Sequence, residues 1–317
     1  MKFKDAIWPL IGIGAVVFSC WLLFREVRTI SLDQIWASFV AITTLQWAGS
    51  IASAALAYVM LAYYDRLALR HIGRSVSFPF VAATSFATYA LSHNIGASVF
   101  SGAVVRYRAY RSRGLSGSEI ALLIAFCSFT FGVGVLLVSA ISLLIKPDII
   151  QRYFDIHSSI PLFVAGAIVV AVAFYVFGSF KGFQPLTIGK FHLHYPRRDV
   201  VIRQLIAAPL EIVAAASIIY FALPPETNPG FVVVVAIFVV SFSLALVSHA
   251  PGGLGVLEVT FLAGLSDVPE TDVLAALLVF RILYLLIPFA IAIVMVLLFE
   301  QSALWRRRSA DGSPPQP

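Results

Sequence analysis

Five stretches of this chain run without a charged residue for about the length of a bilayer-crossing helix. They cover residues 7–24, 45–64, 120–145, 160–180 and 231–247. A helix needs about 20 mostly apolar residues to span a hydrocarbon core roughly 30 Å thick. One such block could be the buried helix of a soluble domain. Five could not be covered by a chain that is only 12% charged, when soluble proteins carry about 25%. The expected fold class is therefore an all-α integral membrane protein, and a soluble enzyme is excluded.

The first block follows Met1-Lys2-Phe3-Lys4, the basic start of a signal peptide, but no A-x-A-like cleavage site follows it. It reads as a retained span. Cys20 and Cys127 both lie in apolar blocks and read as reduced packing residues. Residues 31–42 place Leu32, Ile35, Trp36, Phe39 and Val40 on one helical face. That is either an interfacial helix with Trp36 at headgroup level or an apolar connector packed on its neighbours.

The net charge of +6 sits in short connectors, which suits membrane topology and anionic lipid rather than nucleic acid. Basic residues cluster at Lys2/Lys4, Arg66/Arg70/Arg74, Arg106/Arg108/Arg111/Arg113, Lys181/Lys190/Arg197/Arg198/Arg203 and Arg306/Arg307/Arg308. Placing all five clusters in the cytoplasm puts both termini inside. Between Arg74 and Arg106 the chain must then cross an even number of times. Residues 79–92 and 97–105 are both short for a full span, and they meet at Ser92-His93-Asn94-Ile95-Gly96. The same parity holds from Pro225 to Asp267, where residues 231–247 run into Ser248-His249-Ala250-Pro251-Gly252-Gly253-Leu254-Gly255 and a shorter return. Ser92-His93-x-x-Gly96 matches Ser248-His249-x-x-Gly252, nearly half the chain apart.

The expected architecture is about six full spans plus two re-entrant or broken-helix hairpins entering from opposite faces, about eight helical membrane segments in an inverted repeat. One polytopic domain covers 1–305, with half-repeats near 79–145 and 231–299. A polar cytoplasmic tail at 306–317 is expected to be disordered. Interrupted helices at matching places point to a transporter's binding site.

The candidate site residues follow from that pattern. Gly252, Gly253 and Gly255 let the backbone turn and expose amides that suit an anion such as a lipid phosphate; a plain tight turn is the other reading. Intramembrane charges face a cavity or a partner, and Glu211, Glu258 and Arg281 are such charges. Arg281, with Tyr284 on its face, either holds a phosphate or pairs with Glu258 or Glu211. Glu211, among alanines, either couples protons or packs as a neutral hydrogen-bonded group. His93 and His249 occupy equivalent places, as headgroup or proton sites or as helix-end hydrogen bonders. Arg106 and its neighbours either attract the anionic leaflet or set topology. There is no H-E-x-x-H, G-x-S-x-G, P-loop or G-x-G-x-x-G. No cofactor and no metal site is expected, and His192-x-His194 reads as solvated.

Ser248 to Leu262, S-H-A-P-G-G-L-G-V-L-E-V-T-F-L, resembles the glycine-rich signature of the lysylphosphatidylglycerol synthase transmembrane-region family. Gly102-Ala103-Val104-Val105-Arg106 through Arg113-Gly114-Leu115-Ser116 is similar to its first-half motif, and Phe280-Arg281-Ile282-Leu283-Tyr284 through Ile287-Pro288 to its last-helix motif. The resemblance implies a flippase-like membrane region, fused in some members to an aminoacyltransferase domain. It implies Gly252, Gly253, Glu258 and Arg281 as functional positions, with Arg106. The transferase domain is not expected here, so neither is lipid synthesis. Asn94-Ile95-Gly96-Ala97 departs from the second-half Ala250-Pro251-Gly252-Gly253, which affects the cargo more than the fold. The expected function is movement of a phospholipid between leaflets of the bacterial inner membrane, the lipid being aminoacylated phosphatidylglycerol or another modified lipid. The alternative is a non-transporting lipid-binding subunit. The expected partners are an anionic or modified phospholipid and no nucleic acid, with a homo-oligomer or a lipid-modifying enzyme left open.

Overall fold

A computed structural model describes residues 32–95, 98–153, 157, 159–183, 186–188, 191–193, 195–248 and 251–310. The helices are α1 (Leu32–Val40), α2 (Thr44–His71), α3 (Phe78–Ile95), α4 (Ser98–Arg111), α5 (Gly117–Ile145), α6 (Ser159–Lys181), α7 (Arg198–Ala222), α8 (Phe231–Ser248), α9 (Val256–Gly264), α10 (Glu270–Phe280) and α11 (Ile287–Ala310). Short 3₁₀ turns lie at Pro147–Arg152 and Pro251–Gly253, and a π-helical segment, Arg281–Leu286, joins α10 to α11. The protein is an all-α membrane protein, with one small antiparallel strand pair, β1 (Leu186–Ile188) and β2 (Phe191–Leu193), in register Leu186 opposite Leu193.

Among the described residues, six stretches are long and apolar enough to cross a membrane: α2, α5, α6, α7, α8 and Glu270–Phe299. Five of them are spans the sequence foretells. The sixth, α8, is an arm of the second expected hairpin. The expected first span, Cys20, Lys2/Lys4 and Lys190 lie outside the described residues. The helix beginning at Ile287 continues through Ala310, so its backbone stays helical past the arginines where the sequence places a disordered tail. Residues 311–317 are outside the described residues.

Local sequence accounts for the helix ends. Thr43 and Ser116 each form a capping box, with Gln46 and Glu119 respectively, which satisfies the orphan amides of a first turn. α2 runs seven residues beyond the apolar block, carrying Asp65, Arg66 and Arg70 in helical conformation. In α1, Leu32, Trp36 and Val40 are exposed, while Trp36 stacks on Phe39 and Phe39 meets Trp47 edge-on.

Close packing places α7 at the centre. Its small residues let neighbours approach, as small residues do at membrane helix interfaces. A Cβ on Gly134 of α5 would stand 2.8 Å from the carbonyl oxygen of Ala208. Ser50 of α2 donates to the Ile218 carbonyl, and Gln204 donates to Thr130 while accepting from Tyr175. α2, α5 and α6 are thereby each tied to α7 by a buried or half-buried polar bond.

The second expected break point is a break, at the Pro251–Gly253 turn; at the first, residues 96–97 lie outside the described residues. α3 ends at Ile95 and α4 starts at Ser98; α8 ends at Ser248 and α9 starts at Val256. In each case the two arms pack on one another. α9, with nine residues, is only about 14 Å long at 1.5 Å per residue and cannot cross a bilayer by itself.

Candidate functional site

The first half meets the glycine turn of the second. The end of α3 packs against the glycine turn and the π segment. Asn94 donates to the Leu285 carbonyl at 3.1 Å, and His93 stacks on Tyr284 with ring centres 5.3 Å apart. A small void of about 30 Å³ separates Ser92 and His93 from Gly252 and Gly253. A π segment in a helix is a recurring mark of functional sites. Here the side chains of the first half satisfy its carbonyls, since Tyr58 also donates to the Tyr284 carbonyl at 3.0 Å.

The glycine turn is a clamp. Gly252, Gly253 and Gly255 have φ of 60°, 63° and 78°, the left-handed region that glycine alone enters freely. A Cβ on Gly253 would also press to 2.9 Å from Ala245. Arg281 donates from Nε to Glu258 at 2.6 Å and from Nη1 to the Gly252 carbonyl at 2.9 Å. The second carboxylate oxygen of Glu258 accepts the Gly255 amide at 2.8 Å, closing the first turn of α9. Of the readings open for Arg281, the structure forms the pair with Glu258. The Gly255 amide offered to an external anion is taken by that same carboxylate. Tyr284 does not follow Arg281: its hydroxyl goes to Glu211.

The second arginine site lies in the first half. Arg106 of α4 is buried and bonds Asp65 of α2 through two nitrogens, at 2.6 and 3.3 Å. Tyr110 donates to Asp65 at 2.8 Å, and the Cys127 thiol lies 3.4 Å from it. The guanidinium also stands over the Tyr89 ring, 4.7 Å from its centre, a favourable cation–π distance. Arg108, Arg111 and Arg113 are exposed, so within this basic cluster Arg106 alone is buried.

Glu211 is buried in α7 and accepts from Tyr284 at 2.8 Å and from Tyr64 at 3.4 Å. Tyr64 has a single proton and shares it with the Ala208 carbonyl at 3.2 Å. Glu211 and Arg106 line one cavity of about 130 Å³, together with Tyr89, Ser92, His93 and Cys127. The Nδ1 of His93 is buried and has no hydrogen-bond partner among the described residues. His93 borders both this cavity and the small void by the glycines. His249, its counterpart in the second half, lies outside the described residues. A larger void of about 440 Å³ between α5 and α6 is lined by Phe126, Phe129, Phe174 and Tyr175.

The structure therefore brings Glu211, His93 and Arg106 together around one cavity, and gathers Gly252, Gly253, Gly255, Glu258 and Arg281 into a clamp. Sequence reasoning missed Asp65. It lies one residue past an apolar block and next to Arg66, where a charge reads as interfacial. The available signal was its helical face, which it shares with Leu61, Ala68 and Leu69. No group of three metal-ligating side chains occurs among the described residues.

Comparison with known proteins adds relatives at low identity. No family model matches the chain. It is 29% identical over 308 residues to an uncharacterized protein of Synechocystis, covering 95% of both chains. It is 26% identical over 289 residues to the inner membrane protein YbhN of Escherichia coli, covering 89% of both. It is 26% identical over 304 residues to a phosphatidylglycerol lysyltransferase of Staphylococcus aureus, covering 93% of this chain and 34% of that protein. The chain thus spans about a third of the lysyltransferase, and it is weakly related to both membrane proteins.

Proposed function

We propose that this protein moves a phospholipid between leaflets of a bacterial inner membrane and does not itself modify the lipid. One observation carries the reading. Helices beside the two expected interruptions, α3 and α4 of the first half and α8 of the second, meet around a cavity lined by Arg106, Glu211 and His93. Ionisable groups inside a membrane are costly and mark substrate or ion pathways, and interrupted helices near the midplane mark transporter sites. In this reading α3/α4 and α8/α9 are opposed hairpins of an inverted repeat, and both termini are cytoplasmic. Relatives named as an inner membrane protein and as a phosphatidylglycerol lysyltransferase support the location and the lipid class.

The guanidinium of Arg106 is the group for a lipid phosphate, because its planar fork fits phosphate oxygens and keeps its charge. Asp65 and Tyr110 orient that fork. Glu211 is the counterpart for any cationic group on the head. The Arg281–Glu258 clamp fixes the glycine turn, which borders the small void on the other side of His93. The void between α5 and α6 has the apolar, aromatic lining of ligand pockets and a volume within their range of roughly 300–1,000 Å³, which suits an acyl chain.

A second reading, a lipid-binding subunit that transports nothing, is favoured by the size of the cavity beside Arg106 and Glu211. At about 130 Å³ it holds a few waters, each taking about 30 Å³ in the liquid, and must widen to admit a headgroup. Reconstitution separates the two. Purified protein in phosphatidylethanolamine–phosphatidylglycerol liposomes with a fluorescent phosphatidylglycerol is expected to speed leaflet exchange well above protein-free vesicles. Exchange at the protein-free rate for every lipid class tried leaves only the subunit reading.

A further inference from the structure

The buried charges of the core do not balance side by side. Asp65 pairs with Arg106 at 2.6 Å, and Glu258 bonds Arg281 at 2.6 Å. Glu211 is the third buried acid, and no arginine, lysine or histidine within ion-pair distance accompanies it among the described residues. Its carboxyl has only tyrosine hydroxyls for company. An ionised carboxylate taken out of water without a cation costs several kcal/mol. A proton on the carboxyl removes that cost.

The groups around it are few and can be named. α2 presents Tyr58, Tyr64 and Asp65. The π segment presents Tyr284. Around the shared cavity, α3 presents Tyr89 and His93, α4 presents Arg106, and α5 presents Cys127. α8 presents Phe242 and Leu246, which do not titrate. Asp65 is already satisfied by Arg106 and Tyr110. Glu211 therefore has spare capacity to hold a proton on the cavity wall, and the neutral His93 offers an unpartnered Nδ1 beside it that can pass one on.

We propose that Glu211 is the ion-coupling site of this protein: it carries a proton when the cavity is closed and releases it into the cavity when a cationic group or water enters. His93, between the cavity and the void at the glycine turn, relays that proton. This inference rests on the flippase reading for its consequence, which is that lipid movement is driven by the proton gradient. Proton occupancy itself does not depend on that reading.

Two measurements on the full chain decide it. Infrared difference spectra between neutral and alkaline pH are expected to show a protonated-carboxyl band that Glu211→Gln removes and Glu211→Asp restores in shifted form. A spectrum with no component sensitive to Glu211→Gln overturns the proposal, whatever the lipid assay gives. In proteoliposomes, a gradient of about one pH unit is expected to bias fluorescent phosphatidylglycerol between leaflets by up to about tenfold for one proton per lipid. Exchange that proceeds at symmetric pH and ignores the gradient overturns the coupling. A shift that follows sodium and not pH also overturns it. If no lipid moves under any condition, the flippase reading fails, and the infrared band alone decides whether Glu211 holds a proton.

Discussion

A half-buried arginine, Arg281, and a buried one, Arg106, sit in the two halves of this molecule, and they are employed differently. Arg281 is bonded to a backbone carbonyl and to a carboxylate that is itself closing a helix turn. Its carbonyl partner lies in the glycine turn and its carboxylate partner in the first turn of α9. Arg106 is bonded to one carboxylate, lies over an aromatic ring and fronts a cavity. The difference teaches that an intramembrane arginine is not by itself a ligand site. What matters is whether the guanidinium only closes a fold element or also borders a cavity, as Arg106 does while its fork holds Asp65. By that criterion the second half supplies the scaffold and the first half supplies the working charge.

The comparison can be broken in several places. Arg281→Ala removes one partner of a buried pair and leaves Glu258 uncompensated, so it should cost about 3–5 kcal/mol, seen as a large drop in the unfolding temperature in detergent. Retained wild-type melting would mean that the clamp does not hold the turn. Gly253→Ala acts on the same turn through φ and through the close approach to Ala245, with an expected cost of about 1–3 kcal/mol. A neutral result there would show that the turn relaxes easily, and the scaffold assignment would weaken.

The smallest effect is expected at an exposed pair. Arg152 bonds Asp267 at 2.6 and 2.9 Å beyond the ends of the spans. The hydrogen bond from Arg152 holds the Asp267 carboxyl below its usual range. Its contribution is therefore fully present above the unfolded value of about 3.9 and is lost as pH falls through the lower folded value. Asp267→Asn should cost no more than about 1 kcal/mol at neutral pH, and its melting curve should merge with wild type under strongly acidic conditions. A gap that widens on acidification contradicts the assignment.

Much of this was legible from residue order. Apolar runs give the spans because composition alone decides whether a segment tolerates hydrocarbon. Glu211, Glu258 and Arg281 stand out because charge in such a run is anomalous. Asp65 was hidden by its place at the end of a run, and residue order alone did not separate the candidate Arg106 from the three exposed arginines that follow it. Pairings were not legible, since Arg281 had two acids within plausible reach and only packing chooses between them. The π segment has no sequence signature. The strand pair was readable in principle, as Leu186-Thr187-Ile188 and Phe191-His192-Leu193 flank Gly189-Lys190, a two-residue turn signal that an all-helical reading passes over.

The most direct test of the central claim, that the working charge is Arg106, is leaflet exchange by Arg106→Lys at equal amounts of folded protein. Lysine keeps the charge beside Asp65 but loses the fork. The unfolding temperature should stay close to wild type while exchange falls about tenfold, the rate equivalent of the ~1.5 kcal/mol carried by one hydrogen bond to a charged group. A folded Arg106→Lys protein that exchanges lipid at the wild-type rate would contradict the account.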